Sequence, residues 1–143
     1  MKFEYNDGGR EAAGYKGDTG DCVTRAICIA ARLPYDDVYD RLSEGVRTQR
    51  GIKHPSARHG IYTERKWFKE YMVSLGFEWT PTMRVGSGCK VHLKEGELPM
   101  GRLVVCVSKH YVAVIDNVIY DTEDCSREGK RCVYGYWKLK DNL

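Results

Sequence analysis

The residue types that could do covalent chemistry here are a cysteine near the N-terminus and a histidine and an aspartate near the C-terminus. Cys22 follows a glycine-rich, acidic tract and directly precedes an apolar-periodic run that predicts a helix. A thiol at a helix N-terminus lies among unpaired backbone N–H groups and at the positive end of the helix dipole, which favours the thiolate. Cys22 is therefore a candidate nucleophile.

The other two residues lie on a predicted β-hairpin. His110 begins one predicted strand and Asp121 ends the next, with Asp116-Asn117 between them as a two-residue turn. A bulge or a diagonal contact would bring His110 and Asp121 together. Thiol hydrolases need a thiolate, a nearby imidazole and a third group that orients the imidazole. The pattern predicts a catalytic triad of Cys22, His110 and Asp121.

Each of these residues also has a plainer interpretation. Cys22 could be a buried structural thiol, His110 a surface residue at a strand end, and Asp121 a turn former. Asp116 is a rival orienting acid, but its place in the hairpin turn already explains it, and Asp124 ranks third. The order and the local context of the three residues together favour the triad.

The elements that must position these residues predict an α+β fold. Helical spacing of apolar residues predicts helices over 21–33, from Pro34 to just before Gly45, and over 63–75, with Asp21 and Thr63 as N-caps. The first twenty residues are predicted to be irregular, and 46–62 to be a long polar loop. Strands are predicted over 77–80, 102–108, 110–115, 118–121 and 131–139, with a loop or edge over 82–88. Helices first and antiparallel strands afterwards indicate α+β, with a buried central helix that starts at Cys22.

Length and composition suit a single domain over 1–143 with a net charge of +3. The sequence has no apolar run of membrane-spanning length and no signal-peptide pattern, so we expect a cytoplasmic protein. A reducing compartment argues against pairing the six cysteines as three disulfides. Cys28 and Cys106 fall on apolar positions and are predicted to be buried, whereas Cys89, Cys125 and Cys132 have no assigned role.

The sequence gives only weak signals for a zinc site and for a nucleic-acid-binding surface. Cys89 and His92 have the spacing of zinc ligands, but no second tight pair follows them, so we expect no metal and no cofactor. The polar loop is basic, and aromatic residues do not interleave its charges, so nucleic acid is not the expected partner. Its charged residues are Arg47, Arg50, Lys53 and Arg58, with His54 and His59 beside them. The sequence does not indicate an oligomeric state.

Two segments carry a resemblance to a known superfamily. Gly-Asp-Cys-Val-Thr-Arg-Ala-Ile at 20–27 and His-Tyr-Val-Ala-Val-Ile-Asp-Asn-Val-Ile-Tyr-Asp at 110–121 resemble the papain-like cysteine peptidases. Within that superfamily the chain looks most like small phage and bacterial proteins related to the double-glycine leader peptidases. The stretch 19–26 is also similar to the nucleophile segment of ovarian-tumour-type deubiquitinases. The resemblance implies a papain-like core and a peptide or isopeptide substrate.

One position departs from the pattern of that superfamily. Many papain-like enzymes carry a glutamine about six residues before the nucleophile, where it completes the oxyanion hole. Here that position is Lys16. Backbone N–H groups of 17–21 or the Lys16 ammonium would have to replace the glutamine. The alternative is a catalytically impaired papain-like module that binds a protein or nucleic-acid partner.

Overall fold

The computed structural model describes residues 1–16, 20–49, 56–84 and 86–140, and for His59 the backbone alone. Within these residues the chain forms three α-helices and six β-strands. In chain order they are β1 (Lys2–Tyr5), α1 (Cys22–Ala31), α2 (Tyr35–Arg47), α3 (Lys66–Ser74), β2 (Phe77–Pro81), β3 (Arg102–Val107), β4 (His110–Ile115), β5 (Val118–Asp121) and β6 (Val133–Leu139). A short 3-10 turn, Ala57–His59, lies between α2 and α3.

The six strands form one sheet in the order β1-β5-β4-β3-β6-β2. β1 runs parallel to β5, and the other neighbouring strands are antiparallel. The helices pack on this sheet, which confirms the predicted α+β class. The prediction of a C-terminal, antiparallel sheet is wrong in one respect, because the N-terminal segment adds a parallel edge strand.

β1 lies where the sequence predicted an irregular segment. Its side chains are exposed, Phe3 to 36% and Tyr5 to 68%. Backbone pairing with β5 holds the strand, with Tyr5 opposite Asp121 at the end of the register. An exposed edge strand has no burial pattern to read, and the glycines that follow it dominate the local sequence signal.

The three helices agree with prediction in number, and their ends differ. α1 begins at Cys22, and seven of its ten residues are buried, as predicted for a central helix. α2 does not stop before Gly45 but continues to Arg47. A Cβ at position 45 would overlap the Trp67 ring, so this glycine allows close packing and does not end the helix. α3 begins at Lys66, later than the predicted start at Thr63.

The predicted hairpin is present. β4 and β5 pair from Ala113↔Tyr120 to Ile115↔Val118. Asp116 and Asn117 both have positive φ, 48° and 65°, as a type I′ turn requires. The predicted strands over 77–80, 102–108 and 131–139 are also found with small shifts at their ends, and the described residues of 82–88 form a loop.

Two apolar layers fix the sheet. On one face, α1, α2 and α3 pack against β3 and β4 through a cluster that includes Ile27, Leu42 and Phe68. On the other face, Leu93 and Leu98 from the segment between β2 and β3 cover a second cluster. Because β3, β4 and β5 are packed on both faces, the strand ends that carry His110 and Asp121 are held firmly.

The cysteines divide into one pair and four free thiols. Cys89 and Cys132 form a disulfide, so the expectation that the cysteines stay reduced is wrong for these two. The bond joins the loop after β2 to the residue before β6, two segments whose proximity depends on the tertiary fold. The disulfide-bonded Cys89 sulfur is not available as a zinc ligand beside His92. Cys28 is buried as predicted, whereas Cys106 is half-buried.

The polar loop is only partly described. Arg50, Lys53 and His54 lie outside the described residues, so for them the prediction of a polar loop is untested. Among the residues that are described, none of the helices is long and apolar enough to cross a membrane. The cytoplasmic location stays a prediction.

Candidate functional site

The start of α1 places Cys22 at the first helical position, with Asp21 immediately before it. Asp21 occupies the N-cap position, as predicted, but its side chain makes no capping hydrogen bond. Its carboxylate is buried to 1% exposure, forms an ion pair with Arg25 and accepts a hydrogen bond from the Tyr35 hydroxyl at 2.6 Å. A buried carboxylate is stable only with such partners, and these outcompete the backbone N–H groups of the helix.

The hairpin brings His110 and Asp121 into direct contact. His110 Nε2 and Asp121 Oδ2 are 2.6 Å apart. Continuing the β4–β5 register by one residue from Ala113↔Tyr120 puts Asp121 opposite Val112, so His110 is its diagonal neighbour on the same face. This is one of the two arrangements predicted from the sequence, and it needs no bulge in β4.

Cys22 contacts the same imidazole. Burial raises the pKa of the Cys22 thiol, but the hydrogen bond and the charge of His110, a backbone N–H of Tyr111 and the Arg25 charge together bring that pKa below its ordinary value. Burial lowers the pKa of His110, but contacts with Asp121, Cys125 and Cys22 raise that pKa to about 11. Both shifts favour a thiolate beside an imidazolium near neutral pH.

Arg25 connects the carboxylate of the hairpin to the helix. Its Nη2 donates to Asp121 Oδ1 at 3.3 Å, and the backbone N–H of Thr122 donates to the same oxygen at 2.7 Å. Burial raises the pKa of Asp121, but His110, Thr122 and Arg25 outweigh it, so the pKa of this carboxyl lies below its ordinary value. With both oxygens engaged, Asp121 is fixed as an anion directed at His110.

The sequence did not predict two residues of this site, Arg25 and Cys125. Cys125, in the loop after β5, has its thiol within 4.8 Å of the imidazole and helps to raise the pKa of His110. Its position four residues beyond Asp121 is a weak signal, since nothing local shows that the loop turns back. Arg25 lies three residues after Cys22, on the same side of the helix, which was a readable signal.

The rival acids face elsewhere. Asp116 accepts a hydrogen bond from the Gly101 backbone at 2.8 Å, at the opposite end of β4 from His110. Asp124 accepts from the Ser126 backbone at 2.9 Å. Of the three candidate acids, Asp121 is the one in contact with the imidazole.

The oxyanion-hole question concerns the segment before Cys22. The Lys16 side chain is exposed, and its carbonyl accepts a hydrogen bond from Arg58 Nη2 at 3.0 Å. Residues 17–19, part of the proposed backbone substitute, lie outside the described chain. The described donors near the thiol are the Tyr111 backbone N–H and the N–H groups that open α1.

A metal ion is the other use for such a cluster. His110, Asp121 and Cys125 offer ligand atoms that all lie within 4.8 Å of one another, a nitrogen, oxygen and sulfur set that zinc accepts. Two such ligands of one tetrahedral zinc ion lie about 3.3 Å apart, given bonds of about 2.0–2.1 Å. The His110–Asp121 distance of 2.6 Å is that of a hydrogen bond. The arrangement therefore favours the proton-transfer pair.

The described residues form an α+β fold with a Cys-His-Asp cluster at the junction of a helix and a hairpin. Comparison of the chain with models of known protein families, with curated proteins and with solved structures found no match. The papain-like resemblance therefore rests on the sequence segments alone.

Proposed function

We propose that the protein is a cysteine hydrolase of papain-like type, with Cys22 as nucleophile, His110 as general acid and base, and Asp121 as the residue that orients His110. The observation that supports this most directly is the shared imidazole. It bonds to Asp121 at 2.6 Å and contacts the Cys22 thiol at the start of α1. Since Nε2 is engaged with Asp121, Nδ1 is the nitrogen left to exchange protons at the reaction centre.

The steps follow from that geometry. The Cys22 thiolate forms a bond to the acyl carbon, and the oxyanion is stabilised by backbone N–H groups at the start of α1. The carbon–nitrogen bond then breaks, His110 gives its proton to the leaving amine, and a thioester remains. Neutral His110 takes a proton from water, hydroxide adds to the thioester, and Cys22 leaves as thiolate. The resemblance makes a peptide or isopeptide bond the proposed target.

The alternative is a papain-like module that binds a partner without cleaving it. It is supported by Lys16, which stands where many papain-like enzymes carry the glutamine of the oxyanion hole. Both proposals use the same fold, so they must be separated by the reactivity of the thiol. A binding module has no need of a thiolate, whereas the hydrolase requires one.

Alkylation by iodoacetamide near pH 6, followed by peptide mapping, tests the hydrolase. We expect Cys22 to react before the other free thiols and faster than N-acetylcysteine, because its pKa is lowered. His110→Ala should abolish that advantage, and Cys125→Ala, the matched control at the same imidazole, should keep it. Labelling of Cys22 no faster than N-acetylcysteine contradicts the proposal, and so does faster labelling of Cys125.

A further inference from the structure

A cleft of about 470 Å³ opens beside His110, between the ends of β3, β4 and β5 and the loop after β5. Its lining includes Arg25, Lys109, Arg127 and Arg131, together with His110, against the two carboxylates Asp121 and Glu123. Positive groups thus outnumber negative ones in the cleft by five to two when His110 is protonated.

Three of these cations have no ion-pair partner among the described residues. Arg25 and Asp121 pair with each other, but the described part of the chain contains no ion pair to Lys109, Arg127 or Arg131. Arg131 donates only to the backbone carbonyls of Ser108 and Cys125, and its Nε is buried without a partner. Glu123 is exposed and offers a single negative charge against three positive ones.

Two of the cations sit on conformationally defined turns. Lys109 directly precedes His110 at the tip of the β3–β4 hairpin, where Val107 pairs with His110, and has a φ of 54°. Arg127 is exposed on the loop after β5 with a φ of 53°. Both residues line the cleft that also contains His110.

We propose that this cleft binds a carboxylate of the substrate, so that the hydrolase selects an acidic peptide; the inference rests on the proposed function. A nucleic acid fits less well, because apart from His110 the lining has no aromatic ring on which a base could stack. The carboxylate is either that of a Glu or Asp side chain or that of a peptide C-terminus.

The test compares two alkylating reagents that differ by one charge, iodoacetate and iodoacetamide. The ratio of their rate constants at Cys22 should exceed the ratio measured on N-acetylcysteine, because the cleft attracts the carboxylate. A unit charge on the order of 8 Å away in water changes a rate about twofold. Removing two charges in Lys109→Gln/Arg127→Gln should therefore lower the ratio about fourfold, and because any change in the thiolate itself affects both reagents alike, that change cancels in the ratio.

The matched control is Arg84→Gln/Lys90→Gln, which removes the same charge from two exposed residues outside the cleft. Its ratio should equal that of the unaltered protein. A ratio equal to that of N-acetylcysteine, or one that falls equally in both double variants, overturns the cleft assignment. If instead both reagents are slow at Cys22 while the ratio is high, the proposed hydrolase fails and the carboxylate site stands.

A binding experiment on Cys22→Ala separates the sources of the carboxylate. The probes are fluorescein-labelled hexapeptides: a Glu-rich C-terminal amide, a Gln-rich free acid and a Gln-rich amide, measured by anisotropy. Preference for the first indicates side-chain carboxylates, and preference for the second a C-terminus. Either preference should disappear in Lys109→Gln/Arg127→Gln. Equal binding of all three peptides, or tighter binding of a single-stranded oligonucleotide of equal charge, overturns the proposal.

Discussion

Replacing Arg25 with methionine tests whether the buried charges around Cys22 hold the structure together. The Arg25 side chain is 13% exposed and lies between two carboxylates, Asp21 at 0% and Asp121 at 6% side-chain exposure. Methionine has a similar length and no charge, so Arg25→Met removes the shared counter-charge and leaves little cavity. Both carboxylates then lose a partner in a poorly solvated place.

The size of the loss follows from the partners that remain. Removing one member of a buried ion pair typically costs about 3–5 kcal/mol. Asp21 keeps the Tyr35 hydroxyl at 2.6 Å and Arg10 Nε at 3.6 Å, and Asp121 keeps His110. We therefore expect the lower end, about 3 kcal/mol of unfolding free energy, which for this length lowers the melting temperature by about 10 °C.

Urea unfolding followed by tryptophan fluorescence measures the effect, with Arg41→Met as the matched control. The Arg41 side chain is 49% exposed and lies 3.9 Å from Glu44, so its loss should cost at most about 1 kcal/mol. The Arg25→Met loss should also shrink near pH 4, because without Arg25 the pKa of Asp121 is lowered less and this carboxylate takes up a proton more readily. Equal stability of the two variants, or a loss that does not change with pH, would refute the assignment of Arg25 as their counter-charge.

Three further outcomes are expected. Asp121→Asn should slow iodoacetamide labelling of Cys22 near neutral pH, because it removes the contact that contributes most to the raised pKa of His110. Asp116→Asn, at the other end of β4, is the control and should leave the labelling rate unchanged. Because its pKa is raised to about 11, the His110 imidazolium should add stability that is fully present below pH 6.5 and is lost as pH rises through about 11. The urea midpoints of the unaltered protein and of His110→Gln should therefore converge in strong alkali. A difference between the two midpoints that stays constant with pH would contradict the raised pKa. Gly45→Ala should cost about 1–3 kcal/mol, because the new methyl group overlaps the Trp67 ring. Thermal melting compares it with Glu44→Ala, which places an alanine at an exposed position of the same helix and should cost at most about 1 kcal/mol, so equal losses in the two variants would contradict the overlap.

The parts of the site that the sequence predicted are those with strong local signals. Cys22 begins α1 because an apolar periodic run follows a tract that cannot hold a helix. Asp116 and Asn117 tolerate positive φ, which fixes the hairpin and with it the diagonal relation of His110 and Asp121. A two-residue turn leaves little freedom of register, so a contact between residues eleven positions apart was predictable.

The parts that the sequence missed depend on distant contacts. Arg25 meets Asp121 across 96 positions. The Asp21 side chain, although it belongs to the N-cap residue, bonds to Arg25 and Tyr35 and not to the backbone of the helix end. Gly45 looks like a helix terminator until the Trp67 ring is known to lie against it. In each case the local pattern allows two outcomes, and packing between elements selects one.

The charges of the site form an alternating series, Asp21, Arg25, Asp121, His110 and Cys22, in which each member contacts groups of opposite sign. Such alternation is what makes a thiolate and an imidazolium tolerable at low exposure, because desolvation is offset at every step. The same contacts attach the first turn of α1 to the β4–β5 hairpin. Changes at the inner members should therefore reduce both reactivity and stability. Cys22 ends the series, so its replacement by alanine should abolish reactivity and leave the four remaining charges, and the fold, intact.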